Sequence, residues 1–240
     1  MFKISRRFML KLTAAAGVIA ALPKTAWGII VDYFPTRTVE KEQFRFSPST
    51  GKVEYQDGTA KDYVLEISGL VDRPFELNYH QLRSLPQVVQ TSDFHCVEGW
   101  TVPEVKWGGV RLSEIFSRAE LRPDAKYAVF HSLGETGSKP DGLDHYVESL
   151  PVEDLVNPEL DYMLALSIGG EPLPHDRGAP LRLVTPFDLA YKSIKFVTRI
   201  ELTDKRVDGW WTRANSIYPW HAPVPGDRLA EPDPRKKKAD

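Results

Sequence analysis

Nineteen prolines and sixteen glycines are spread along the 240 residues, and they set the scale of everything the chain can build. Proline cannot donate to a ladder or continue a helix, and glycine favours turns, so regular elements must be short. Eight stretches have strand composition: Tyr63 to Ile67, Pro74 to Leu77, Gln87 to Thr91, Lys126 to Ser132, His145 to Glu148, Met163 to Ile168, Pro180 to Val184 and Ile194 to Leu202. The last alternates, with Ile194, Phe196, Thr198, Ile200 and Leu202 expected on one side. Asn78 is expected to cap a short helix through Leu82, stopped by Pro86. Ser113 is expected to cap an amphipathic helix whose inner face is Leu112, Ile115, Phe116 and Ala119. Pro151 should open a third helix as its first residue. Trp107-Gly108-Gly109 reads as a turn. Many short strands with few short helices predict an α+β fold of mixed strands rather than a βαβ nucleotide fold. No P-loop or dinucleotide glycine fingerprint is present.

The chain divides into four parts. Residues 1–28 have a basic head (Lys3, Arg6, Arg7, Lys11), an apolar run from Leu12 to Leu22, and a small-x-small site at Ala26-Trp27-Gly28. That order describes an export signal. Ser5-Arg6-Arg7-Phe8-Met9-Leu10-Lys11 is expected to act as a twin-arginine signal, with an ordinary secretion signal as the alternative. An uncleaved membrane anchor is a third reading, and Pro23 and Lys24 interrupt it. The twin-arginine route exports folded proteins, which suits a chain that acquires its cofactor in the cytoplasm; the expected location is the periplasm. Residues 29–62 are polar and turn-rich, with Gln43 to Phe46 as one β-like piece, and read as an arm wrapping the domain. Residues 63–226 form the domain itself. Residues 227–240, ending Arg235-Lys236-Lys237-Lys238, read as a charged, solvated tail. The signal carries five Lys or Arg and no acid, so the remainder is more acidic than the formal net charge of −2. Nothing global therefore suggests nucleic acid.

The only cysteine, Cys96, lies in Ser92-Asp93-Phe94-His95-Cys96-Val97-Glu98-Gly99-Trp100, where a β-rich run gives way to a glycine turn. One cysteine excludes an internal disulfide and any cluster or zinc finger built from several thiolates. A buried free cysteine acting as a small hydrophobe is the plain alternative. The polar neighbours Asp93, His95 and Glu98 argue against it, and a thiolate is a soft ligand for a soft metal centre. A Cys–His nucleophile is weakened because adjacent residues on an extended chain point to opposite faces, which makes His95 a poor base.

A second cluster runs from His175 to Lys195. His175, Arg177, Arg182, Lys192 and Lys195 are five cationic or potentially cationic groups within 21 residues, with Gly178 allowing close backbone approach. Such a mixture suits a phosphorylated ligand; an exposed basic strand edge is the alternative. His131-Ser132 ends its strand before a glycine loop and can line the same cleft. Trp100, Trp107, Trp210 and Trp211 read as core or lid.

The cysteine loop, the Arg182 strand and the Ser193-Ile194-Lys195 run, in that order over Tyr63 to Trp211, resemble the sulfite oxidase superfamily of molybdopterin-dependent oxidoreductases. The Cys96-Val97-Glu98-Gly99-Trp100 form is similar to its periplasmic methionine-sulfoxide reductase branch, and Val97-Glu98 stands where sulfite oxidases carry an arginine-containing sequence. The resemblance implies a sulfite-oxidase-type fold with molybdopterin and molybdenum as cofactor. It implies Cys96 as metal ligand and catalytic residue. Glu98, two residues on, points to the same side if the local chain is extended, and is expected as a catalytic proton group or an arginine's ion-pair partner. His95, Ser132, Arg177, Arg182, Ser193, Ile194 and Lys195 are implied as cofactor-binding; Arg177 departs from the branch's asparagine. Phe44 and Phe46 stand as candidates for its N-terminal aromatic contacts. The implied reaction is oxygen-atom transfer to or from a small molecule, with reduction of an S-oxide or N-oxide preferred. Oxidation of a small sulfur compound such as sulfite, a non-catalytic binding relative, and a Cys–His hydrolase are the alternatives. The chain has no haem or flavin motif, so a separate redox partner is expected, a membrane haem protein or c-type cytochrome. A monomer is the expected state.

Overall fold

The structure, a computed structural model, describes residues 39–41 and 43–238. The expected export signal lies outside the described residues. In chain order the strands begin with β1 (Phe44–Ser47), β2 (Lys52–Tyr55), β3 (Ala60–Asp62), β4 (Val64–Gly69) and β5 (Phe75–Asn78). Helix α1 (Tyr79–Ser84), β6 (Val88–His95), β7 (Thr101–Arg111), α2 (Leu112–Ala119), β8 (Tyr127–Ser132), β9 (Val147–Pro151) and α3 (Val152–Val156) follow. Then come β10 (Met163–Ile168), β11 (Glu171–Pro172), β12 (Arg182–Val184), β13 (Val197–Thr203) and α4 (Trp210–Ala214). This is the α+β architecture of short mixed strands.

Three sheets form. β1, β2 and β3 make an antiparallel meander. A second sheet runs β11-β10-β7-β6, with β12 also paired to β10. A third runs β5-β4-β13-β8-β9, in which β13 and β4 are parallel. The main core contains Leu65, Ile67, Val110, Ile115, Phe130, Leu164 and Ile200, all fully buried. A smaller core lies under the second sheet, where Val105, Trp107, Met163 and Val184 pack together.

Several expectations are corrected. Trp107-Gly108-Gly109 is not a turn; it lies inside β7, where Gly108 and Gly109 pair with Ser167 and Ala165 of β10. A Cβ on Gly109 would collide with the Leu164 carbonyl, so the glycine permits close strand approach rather than reversal. Helix α2 starts at Leu112 with Arg111 as N-cap and no side-chain cap, so Ser113 caps nothing. Its predicted inner face of Leu112, Ile115, Phe116 and Ala119 is buried. Pro151 is the N-cap of α3 rather than its first helical residue. At α1, Asn78 forms a full capping box with Gln81. The alternation expected along 194–202 breaks because the ladder to β8 shifts register between Val197 and Arg199. Val197 turns inward, and the Thr198 hydroxyl donates to the Val64 carbonyl at 2.9 Å. The arm is not merely a wrap: its meander buries Phe44 and Val53 in the main core.

The C-terminal stretch is not a solvated tail. Asp233 is 3% exposed, and Arg235 reaches Asp233 at 2.8 Å and Asp188 at 3.0 Å. Arg235 also donates to the Phe187 carbonyl at 2.9 Å, and the Tyr162 hydroxyl donates to Asp188. A run of charges is solvated only when no buried counter-charge faces it, and Asp188 is buried.

Candidate functional site

Cys96 occupies the hairpin turn between β6 and β7. The Cys96 amide donates to the Trp100 carbonyl at 2.9 Å, and Gly99, at φ +94°, donates back to the Cys96 carbonyl at 3.2 Å. The strand continues to His95, four residues beyond the expected end at Thr91, with a register shift between Ser92 and Phe94. The Asp93 carboxylate accepts from the Glu104 amide at 2.9 Å across that irregularity. The cysteine thus sits in the turn at the end of the β6–β7 ladder.

Beside it lies a cavity of about 350 Å³. Cys96, Glu98, Arg177, Arg182, Ser193, Ile194 and Lys195 all line it. The structure therefore brings together seven of the predicted residues from two distant stretches. His95 and Ser132 are not in the lining. His95 is buried with Nδ1 3.0 Å from the Thr101 hydroxyl. Burial holds its pKa below the usual histidine value; nearby Asp93 opposes the shift and Arg228 reinforces it. The Ser132 hydroxyl accepts from the Tyr146 amide at 3.1 Å, so Ser132 fixes the backbone of a residue that does line the cavity. Phe44 packs against Phe196 and His175, and Phe46 against Tyr63 and Tyr79, so neither reaches the cavity lining. Trp210 is core, Trp107 is both core and cavity wall, and Trp100 and Trp211 are wall. Sequence reasoning missed Glu40, Tyr146, Tyr191 and Tyr218 in the wall. The proline-flanked aromatic run after Gly209 was the available sign of a wall.

Arg182 is the centre of the cationic side. Its guanidinium lies 5.2 Å from the Phe94 ring centroid and 5.1 Å from that of Trp107. Nη1 donates to the Arg177 carbonyl at 3.0 Å and Nη2 to the Ser193 carbonyl at 3.1 Å. Burying a lone guanidinium costs several kcal/mol. Two hydrogen bonds from a charged donor return about 1.5–3 kcal/mol each, and stacked aromatic faces about 1–2 kcal/mol. These offset the cost and leave Arg182 charged inside the protein. Burial, with Arg177 adding to it, still pushes its pKa down to about 10.

The cationic side accepts an anion. The Arg182 Nε is buried with no hydrogen-bond partner among the described residues. Gly178, at φ +108°, stands between Arg182 and Lys195; a Cβ there would lie 2.9 Å from Lys195 Cγ and 3.2 Å from Arg182 Cβ. The glycine lets the two cations close on one point. The Ser193 hydroxyl is 2.8 Å from the Thr185 hydroxyl and accepts from the Thr185 amide at 3.2 Å, which fixes the run leading to Lys195. An anionic organic cofactor fits this donor set at one part of the cavity, and a soft metal fits the thiol at another.

Burial pushes the Lys195 ammonium down to about 8; Glu40 opposes the shift, and Arg182 adds to it. The folded value lies below the unfolded lysine value of about 10.4. The charged form therefore costs folding stability below pH 8, and that cost disappears as pH rises from about 8 towards 10.4. A bound anion favours the charged form, so its affinity should fall as pH passes 8. Sulfate is a suitable probe because its own charge is constant over this range. We expect sulfate to raise the melting temperature of the cofactor-free chain more at pH 7 than at pH 9. In Lys195→Arg the stabilisation should persist at pH 9. Equal sulfate stabilisation of the wild type at both pH values would assign the anion to other groups.

A thiol on a hairpin turn and a buried cationic cradle share one cavity, an arrangement that suits a domain binding an anionic cofactor near a soft ligand. The chain belongs to the oxidoreductase molybdopterin binding domain family, which matches residues 50–211, and so to the sulfite oxidase superfamily. It is similar to the protein-methionine-sulfoxide reductase catalytic subunit MsrP of Gluconobacter oxydans, 34% identical over 171 residues, covering 68% of this chain and 54% of that protein. It is 32% identical over 164 residues to the oxidoreductase YuiH of Bacillus subtilis, covering 68% of this chain and 76% of that one. Among solved structures, the sulfane dehydrogenase SoxCD from Paracoccus pantotrophus shares the fold, with TM-score 0.54, 24% identity, and coverage of 73% of this chain and 50% of that one. The chain thus spans about half the length of MsrP and of the SoxCD chain.

Proposed function

We propose that this oxidoreductase reduces a small S-oxide or N-oxide in the periplasm, after export of the folded chain by the twin-arginine route. The observation that carries the reading is that Glu98, two residues from Cys96, lines the same cavity, in the stretch where the sulfite oxidases carry an arginine-containing sequence. A carboxylate beside the thiol repels an anionic substrate such as sulfite and leaves a neutral S-oxide unopposed. The likeness to MsrP supports the same choice.

Molybdopterin with molybdenum, when bound, supplies the two-electron exchange of an oxygen atom. Cys96 would hold the metal through its thiolate, and Arg182, Lys195, Arg177 and the Ser193-Ile194 backbone would hold the pterin and its phosphate. Glu98, which accepts from the Trp100 indole nitrogen at 3.4 Å and lines the same cavity as Cys96, would hold or deliver a proton there. Trp100, Trp211 and Tyr218 give the cavity an aromatic wall that favours a thioether-like substrate body. Reduction of one S-oxide takes two electrons and two protons and releases one sulfide and one water. The electrons come from a separate protein, a membrane haem protein or c-type cytochrome; that the Gluconobacter relative is named a catalytic subunit supports this. The expected state of the chain is a monomer.

The test is a substrate screen on the purified chain with a reduced dye as donor. Several S-oxides and N-oxides should oxidise the dye, and sulfite with an oxidised cytochrome should be a poor pair by comparison. Rapid sulfite oxidation with no S-oxide or N-oxide turnover would reverse the assignment.

A further inference from the structure

The C-terminal segment returns across both walls of the cavity. It first joins the stretch just before the Ser193–Lys195 run: the Leu189 amide donates to the Ala222 carbonyl at 2.8 Å and the Val224 amide to the Phe187 carbonyl at 2.9 Å. It then forms a short turn, Gly226–Arg228. There Arg228 Nη1 donates to the Cys96 carbonyl at 3.0 Å. Nη2 donates to the Trp100 carbonyl at 2.7 Å and to the Thr101 hydroxyl at 3.2 Å. Beyond it, Arg235 returns to Phe187 and Asp188 at 2.9 and 3.0 Å. The segment is thus fastened twice at 187–189 and touches the cysteine turn between the two fastenings.

We propose that Arg228 is the positioning residue for Cys96. Val97, Glu98, Gly99 and Trp100 are exposed, and the backbone bonds within the turn run from the Cys96 amide to the Trp100 carbonyl and from the Gly99 amide to the Cys96 carbonyl. Such a turn lies at the low-stability end of a fold. A ligand side chain, by contrast, has to be held within about 0.5 Å of its productive place. One planar guanidinium forked across the carbonyls at both ends of the turn supplies that restraint, and its rigid fork is what a lysine lacks. The second anchorage carries the restraint to the Ser193–Lys195 wall, so the segment sets the spacing between thiol and cationic cradle. Arg228 itself is not among the residues that line the cavity.

The inference rests on Cys96 as the metal ligand, but its test does not require the metal. Because Cys96 is the only thiol in the chain, labelling by a thiol reagent reports this turn alone. In the full chain prepared without cofactor, Arg228→Ala, which removes all three of these hydrogen bonds, should raise the labelling rate at pH 7 by at least about tenfold, the change in turn opening that losing even one charge-assisted hydrogen bond brings. Arg228→Lys, which keeps the charge but not the fork, should fall between. Melting temperatures measured beside the rates separate a freed turn from general unfolding. In the loaded enzyme, Arg228→Ala should lower kcat while KM stays near the wild-type value. A wild-type labelling rate in Arg228→Ala would overturn the proposal. So would accelerations in both variants no larger than their loss of global stability explains. Absence of molybdenum from the wild type would instead count against the function proposed above and leave the labelling result standing.

Discussion

Cys96→Ser is expected to lower dye-linked oxygen-atom transfer by about a thousandfold or more, equivalent to about 4 kcal/mol of barrier. A serine hydroxyl at neutral pH stays protonated and is a hard donor, whereas the thiolate is soft and ionises several units lower. The substitution is nearly isosteric and Cys96 belongs to neither hydrophobic core, so folding should be almost unaffected. Activity lost with the melting temperature held within a few degrees is the signature to look for. Optical and EPR spectra of the metal should change together with the rate. A nucleophilic hydrolase would also be inactivated, but no metal spectrum would accompany it. Full activity in Cys96→Ser would remove the cysteine from the chemistry.

The second large effect is expected at Arg182. Arg182→Leu should leave the purified chain with less than about a tenth of the wild-type pterin, read as pterin fluorescence after denaturation. Two consequences of one change have to be separated. Leucine fits among Phe94 and Trp107 and relieves the burial of a charge, which favours folding. It also strips the Arg177 and Ser193 carbonyls of their donor, at about 1–3 kcal/mol each. The net is a moderate fall in melting temperature, too small to account for loss of the cofactor. Arg182→Lys restores the charge without the fork and should recover part of the pterin. Retention of normal pterin in Arg182→Leu would place the anion elsewhere.

The site was legible where chemistry is local. A lone cysteine among polar neighbours, and cations crowded around Gly178, stand out in one dimension because the cavity uses them as two contiguous runs. His95 shows the limit of that reasoning: it neighbours the cysteine in sequence, yet strand alternation turns it towards Thr101. Ser132 shows another, since a strand end near the cleft holds Tyr146 in place rather than facing the cavity itself. Glycine at Gly108 and Gly109 signalled a turn by propensity, while tertiary packing against β10 needed the missing side chains. The bulge at Val197 likewise arises from pairing with β8 and leaves no mark on a hydrophobic pattern. Arg228 and Arg235 were hardest to see. Their partners lie in the cysteine turn and at Phe187 and Asp188, far away in sequence, and a charged terminus with unseen counter-charges looks like one in solvent.

The most direct measurement is molybdenum and pterin per polypeptide in wild-type protein purified from a molybdenum-replete host. About one of each per folded chain is the expected result. A correctly folded chain containing neither would contradict the assignment of the cavity.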